Sequence, residues 1–398
     1  MRPRIYSQRD SGLGPVSAPL PSPWIKSPAW DGVWILSALW LVPLALALAG
    51  GQAGTGSGPL DQLYFVITAL FWIGHRLGSA WLAYGTEAYR PLLRAQPVRF
   101  LLIPALVTAA CFAIFLPGDS ALPFTRTERF IALAILDYAA STYHFGAQHF
   151  GALSLYRARA GGAANPGIRQ RDRLFALGVG GALVFLADAL AGAAAYQKLW
   201  LDRWLPGFPA QALEPIRYGA TLVLVAATAA MLIAELRAAP RSPPRILYIL
   251  GLAMMVAIAL QPRNPFIFLM IWSSQHWILA SALAARTPRM EPCPAGKGVR
   301  RALHELNSRG WALMLMLMLI SLLLLPVFEV EANWLDSAAN FGDRIFGHFA
   351  AGLRTSSFVP ALLALGFASG FTHYLLDRSV FRLSDPQIRS AARGLLPV

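Results

Sequence analysis

Charge is scarce in this chain. Only 14% of its 398 residues are Asp, Glu, Lys or Arg, where a soluble domain carries about 25%. With 56% apolar residues and a mean hydropathy of +0.50, the composition argues against both a soluble enzyme and a disordered chain. Cysteine is nearly absent. Cys111 falls in an apolar run and Cys293 in a basic loop, so there is no CxxC pair and no disulfide framework. Also missing are a Walker loop, HExxH, GxSxG, a solenoid repeat, a coiled coil and any low-complexity array. The glycines at 178, 180 and 181 open an apolar span, which reads as close helix packing rather than a nucleotide turn.

What the chain does have is apolar runs of about 20 residues, the length a helix needs to cross a bilayer. Ten are legible: 33–50, 62–84, 100–117, 130–156, 174–195, 218–236, 246–260, 265–285, 311–328 and 357–381. The expected fold is therefore all-α, a polytopic transmembrane helical bundle of about ten spans. Residues 1–32 read as a flexible basic tail, 33–382 as the transmembrane domain and 383–398 as a C-terminal tail. The seventh and eighth runs, separated only by Gln261–Asn264, read as a tight helical hairpin.

The net charge of +14 comes from 34 basic and 20 acidic side chains. The basic residues sit at the ends of apolar runs, so they report membrane orientation rather than nucleic-acid binding. With the N-terminus inside, the inner segments carry 25 Lys and Arg and the outer loops 8. That bias predicts that both termini are cytoplasmic, as in a protein of the bacterial inner membrane. Trp200, Trp204 and Trp334 in the outer loops suit the membrane interface.

Of seven histidines, His304 and His348 fall in loops. His75, His144, His149, His276 and His373 fall inside apolar runs, where ionisable side chains are costly and face a bundle interior. They lie on the second, fourth, eighth and tenth runs, all of which point inward in this topology. Each is about 8 to 13 residues from the inner surface, or roughly 12–20 Å deep at the rise of an α-helix. Polar neighbours at helical spacing share their faces: Asp137, Ser141 and Gln148 with His144; Ser369 and Asp377 with His373; Trp72, Arg76 and Ser79 with His75; Ser273 with His276. His149 lies about 140° around the helix from His144, as a supporting group or part of a second metal site. Asp188 stands alone on the fifth run and reads as a polar packing contact.

Neutral imidazole is the commonest metal ligand and suits iron, copper and zinc. The pattern therefore predicts an intramembrane metal site with His75, His144, His149, His276 and His373 as ligands. Asp377, Arg76 and Gln148 are the accompanying groups expected to take part in the chemistry. A polar network between helices and a proton or solute pathway are the competing readings.

Two stretches, 142–149 (TYHFGAQH) and 372–377 (THYLLD), resemble a YHxxxQH and HYxxD pattern of poorly characterised bacterial polytopic membrane proteins. The gathering of histidines from several helices is similar, more loosely, to the Brp/Blh carotene-cleaving membrane dioxygenases. The dense HxxxH and HxxHH boxes of membrane desaturases and alkane hydroxylases are absent. The looser resemblance implies non-haem iron; haem or copper are the alternatives that the histidines themselves allow. It also implies redox or oxygen chemistry on a lipid or isoprenoid-like substrate supplied by the bilayer, with an electron donor of unknown identity. A transporter or channel using the same groups as a proton or metal relay, and a haem-binding electron-transfer protein, are the other expectations.

Overall fold

The computed structural model describes residues 22–49, 58–161, 165–186, 213–261, 265–290, 293, 298–334 and 340–396. Among them every regular element is a helix and there is no strand. In chain order these are α1 (Pro28–Trp34), α2 (Ala38–Leu48), α3 (Pro59–Gly85), α4 (Arg90–Ala95), α5 (Ile103–Phe115), α6 (Arg126–Arg159), α7 (Pro166–Leu177) and α8 (Leu213–Leu236). They continue as α9 (Pro243–Ala259), α10 (Pro265–Arg286), α11 (Val299–Ser308), α12 (Gly310–Ala332), α13 (Phe341–Phe346), α14 (His348–Thr355), α15 (Val359–Val380) and α16 (Pro386–Ala391).

Among the described residues six helical stretches are long and apolar enough to cross a membrane, and a seventh if α1 and α2, bent by 47°, count as one span. The described parts of the ten apolar runs are mostly helical, the first being broken by a turn at residues 35–37. The run at 246–260 forms the shorter apolar helix α9, and the run at 130–156 lies within α6, which is not among the six. Asp188, Trp200 and Trp204 lie outside the described residues; Trp334 is part-buried against the core around Phe367.

Local chemistry sets the helix ends. Thr125 and Glu128 form a reciprocal capping box at the start of α6, satisfying two backbone donors that a helix start leaves free. Asn165 caps α7 just before Pro166, a residue whose fixed φ and missing N–H suit the first helical turn. Both tails expected from the sequence are partly folded. Asp31 accepts the amides of Ile25 and Lys26 at 2.8 and 3.0 Å and folds residues 25–31 onto the bundle, burying Ile25. At the other end Leu395 is buried and its carbonyl accepts from Arg159 at 3.1 Å, so 386–396 packs back rather than trailing.

Helix α3 is the hub, packed against α10, α12 and α15, while α6 packs on α7 and α15. Small residues permit this. A Cβ at Gly74 would lie 2.5 Å from the Leu317 carbonyl oxygen of α12, and one at Gly78 would lie 3.2 Å from Ala284 of α10. Without a hydrophobic driving force between helices in lipid, such backbone approach is what gains packing energy. Ser321 of α12 adds an acceptor for the Ile73 amide at 3.0 Å, two residues before His75.

Arginines counted as inner-segment charge are drawn into an ion network, Arg245 buried and Arg157 and Arg171 part-buried. Arg245, with its side chain 1% exposed, pairs with Asp172 and Glu235 and donates to the Leu153 carbonyl. Arg157 and Arg171 also reach Glu235, at 2.7 and 2.8 Å. The network ties α6, α7, α8 and α9 together at the end of the bundle where their basic connections lie.

Candidate metal centre

Four helices each bring one histidine to the same place: His75 from α3, His144 from α6, His276 from α10 and His373 from α15, all buried. The ring of His75 stands 5.0 Å from that of His276 and 4.8 Å from that of His373. The ring of His144 stands 5.0 and 4.9 Å from the same two. His276 and His373 are 6.3 Å apart across this quadrilateral. With metal–nitrogen bonds of about 2.1 Å, imidazoles sharing one ion at roughly 90–110° to each other have centres about 4.6–5.3 Å apart. The four adjacent pairs fall in that range.

Nitrogen by nitrogen, the arrangement is directional. His75 turns Nδ1 onto the Trp72 carbonyl of its own helix. His276 Nδ1 meets Gln148 Oε1 at 2.7 Å, and His373 Nδ1 meets Ser79 Oγ at 3.2 Å. A carbonyl or amide oxygen on Nδ1 fixes the proton there and leaves the lone pair on Nε2, the supporting contact that metal-ligating histidines usually make. The Nε2 atoms of His144 and His373 are buried without a hydrogen-bond partner. Buried polar atoms are nearly always partnered, so two unpartnered ring nitrogens in one cluster call for a ligand of their own.

Ligand atoms of His75, His276 and His373 lie within 4.8 Å of one another, and so do those of His144, His373 and Asp377. The two groups share His373. Asp377 sits beside the cluster, with its carboxylate oxygens 3.6 Å from His144 Nε2 and 3.7 Å from His373 Nδ1. Aromatic side chains wall the rest: Phe145 against His276 at 4.3 Å, Trp277 against His75 at 5.9 Å and Tyr374 against His144 at 4.9 Å.

The other expected site residues have definite places. Gln148 touches the cluster through the ring of His276. Arg76 makes no ion pair with Asp377. Its Nη1 lies 3.7 Å from Glu331 and 3.2 Å from Ser369 Oγ, and its guanidinium lies over the Trp72 ring at 5.2 Å. His149 belongs to neither ligand group among the described residues. Its Nδ1 meets the Tyr248 hydroxyl at 2.7 Å and its ring leans on Trp272. The absence of a side chain at Gly180 makes room for it, since a Cβ there would lie 2.9 Å from His149 Cδ2. His348 is exposed and His304 part-buried, both away from the four rings.

Glu331 and Ser79 had no assigned role at the sequence level, Ser79 being only a polar neighbour of His75. Glu331 follows an apolar run that reads as ending near residue 328, whereas the helix carries on to Ala332 and takes Glu331 into the interior. The signal was the pair Glu329 and Glu331 set directly on the end of that run.

No family model, curated protein or solved structure matches this chain. Its function is therefore inferred from its own residues.

Gln148→Leu offers a test of the supporting contact. Losing the hydrogen bond that orients a ligating histidine should weaken metal binding about 10- to 100-fold. Competition titration against a metal chelator reads that change directly.

Proposed function

We propose that the chain is an integral-membrane metalloenzyme, an iron-dependent oxidoreductase or oxygenase acting on a lipophilic substrate. The observation that carries this reading is the convergence of four imidazoles from four helices, two with unpartnered Nε2 atoms. No local sequence spacing forces such a meeting, and a mere packing network would satisfy its own nitrogens. His75, His144, His276 and His373 are the proposed ligands. Imidazole donors with open positions suit a redox-active first-row metal that activates O₂. Gln148, Ser79 and the Trp72 carbonyl hold the rings, Asp377 borders the centre, and the aromatic wall keeps water out. An apolar substrate such as a lipid or isoprenoid would arrive laterally from the bilayer. The electron donor is a separate component.

The ring geometry speaks against haem. A porphyrin between His276 and His373 would need the space that the rings of His75 and His144 fill. A proton or metal relay is the second reading, favoured by Asp377 on one side of the cluster and Arg76 with Glu331 on another.

Metal analysis and an absorption spectrum of the purified protein decide between these. The expected result is close to one iron per chain and no Soret band. A Soret band would assign the site to haem, and a metal-free protein that still folds would favour the relay.

For the arrangement in the membrane, we propose ten spans with both termini cytoplasmic, in a bacterial inner membrane. The support is the 25-to-8 distribution of basic residues. Reporter fusions at the C-terminus and near residue 340 should report opposite sides. The same side for both would overturn this topology.

A further inference from the structure

Four stretches of chain far apart in sequence meet where α6 and α10 end. Arg159 closes α6 and Arg286 closes α10. The Arg159 guanidinium donates to the Leu395 carbonyl at 3.1 Å. Gly394, the residue before, packs so closely on the end of α10 that a side chain there would strike the Arg286 and Thr287 carbonyls. The two arginines therefore flank one dipeptide of the C-terminal segment. The turn at 25–31 adds a further wall, with Asp31 as the acid whose charge both arginines feel. At the rise of an α-helix, Arg286 lies about 15 Å along α10 from His276, so this place is separate from the histidine cluster.

Charge does not balance there. The Asp31 oxygens are spent on the amides of Ile25 and Lys26. Among the described residues no carboxylate stands at ion-pair distance from Arg159 or Arg286, although both feel Asp31 from further off. Arg159 is only 9% exposed, yet the bond to Leu395 is the one hydrogen bond it makes, out of the five donors of a guanidinium. Its Nε is enclosed without a partner, and so is that of Arg286. Arg289, exposed three residues past Arg286, adds a third positive charge. A helix C-terminus offsets about half a unit charge, less than these side chains carry. An uncompensated buried charge is costly, so the place calls for an anion.

We propose that Arg159 and Arg286 bind a phosphate group, that of an anionic lipid headgroup seated between the ends of α6 and α10. The guanidinium fork matches the spacing of phosphate oxygens. Basic pockets between spanning helices on the cytoplasmic side take such headgroups, and in the proposed topology both helices end on that side. A zwitterionic headgroup would bring its own cation against Arg289. Because the N-terminal turn and the C-terminal segment form two of the walls, the bound phosphate holds both ends of the chain on the bundle. A ligand that binds only this folded arrangement stabilises it.

The test uses the full-length protein in neutral detergent, with phosphatidylglycerol, phosphatidylcholine of the same acyl chains, or inorganic phosphate added. Native mass spectrometry counts the lipid retained, and thermal unfolding reads the shift. Phosphatidylglycerol is expected to bind and to raise the unfolding temperature, and phosphatidylcholine to do neither. Arg159→Gln and Arg286→Gln, made singly, should each weaken phosphatidylglycerol binding about tenfold or more, the loss that a charge-assisted hydrogen bond carries. If Arg159→Gln fails to fold, the part-buried Arg286→Gln carries the comparison. Arg169→Gln combined with Arg173→Gln removes two exposed arginines of α7 and should leave binding unchanged. An equal shift with inorganic phosphate alone would keep the phosphate site and assign it to the free ion. No binding to the wild type, equal binding of phosphatidylcholine, undiminished binding in Arg286→Gln, or an equal loss in the α7 pair would each overturn the site. The arginines would then serve only as charges at two helix ends.

Discussion

Changing any one of His75, His144, His276 or His373 to Ala is expected to remove most of the bound metal while the protein still inserts in the membrane. The loss should be on the order of 100-fold or more in affinity, because even the supporting hydrogen bonds of such ligands are worth about 10- to 100-fold. A polar network would respond differently. Deleting one interhelical contact in a membrane protein costs only about 1–2 kcal/mol, and no metal would be involved. His276→Gln is the informative companion. It keeps a polar group against Gln148 but removes the imidazole, so metal should be lost even if stability is kept. His149→Ala and His348→Ala should retain metal near the wild-type level, because neither residue shares a ligand group with the four. Plasma emission analysis of the purified variants reads all of these. Full metal content in two or more of the four Ala variants would remove the shared centre.

The second large effect is expected far from any metal. Arg245→Met should destabilise the protein by about 3–5 kcal/mol, the usual result of removing one partner from a buried ion network. Asp172 and Glu235, each with a side chain 2% exposed, would lose the guanidinium that bridges them. Arg157 and Arg171 reach Glu235 at 2.7 and 2.8 Å but Asp172 only at 3.7 Å, so Asp172 is the group left worst off. Adding Asp172→Asn to Arg245→Met should therefore recover part of the loss, a coupling expected only between groups in one network. Thermal unfolding in detergent measures both steps. An Arg245→Met protein as stable as wild type would mean that the network adds nothing to cohesion.

Much of the site can be read from helical periodicity alone. His373 and Asp377 are four residues apart on one helix and do sit together. His75 and Ser79 share that spacing, and Ser79 reaches His373 on another helix. His144 and Gln148 are likewise four apart, and both face His276. Periodicity says which side chains share a face but not which helix that face meets. That is why Arg76 reads as a partner for Asp377 or Asp137, yet makes its ion pair with Glu331 while Asp137 lies within its electrostatic reach. It is also why His149 reads as a ligand candidate although its face turns toward Tyr248 and Trp272.

The composition, the spacing of apolar runs and the imidazoles buried in them were enough to determine that this is an all-helical chain with several helices apolar enough to span a membrane. They also determined which histidines lie in its interior. Those properties come from transfer energies and helical geometry, which act residue by residue along the chain. The tertiary structure alone decided that four histidines meet, that Gln148 and Ser79 orient two of them, and that Glu331 takes Arg76. It also decided that Arg245, counted as loop charge, lies buried in an ion network. Each of these depends on contacts between helices far apart in sequence. Such contacts are set by where small residues such as Gly74 and Gly78 let backbones approach, not by any pattern within one helix.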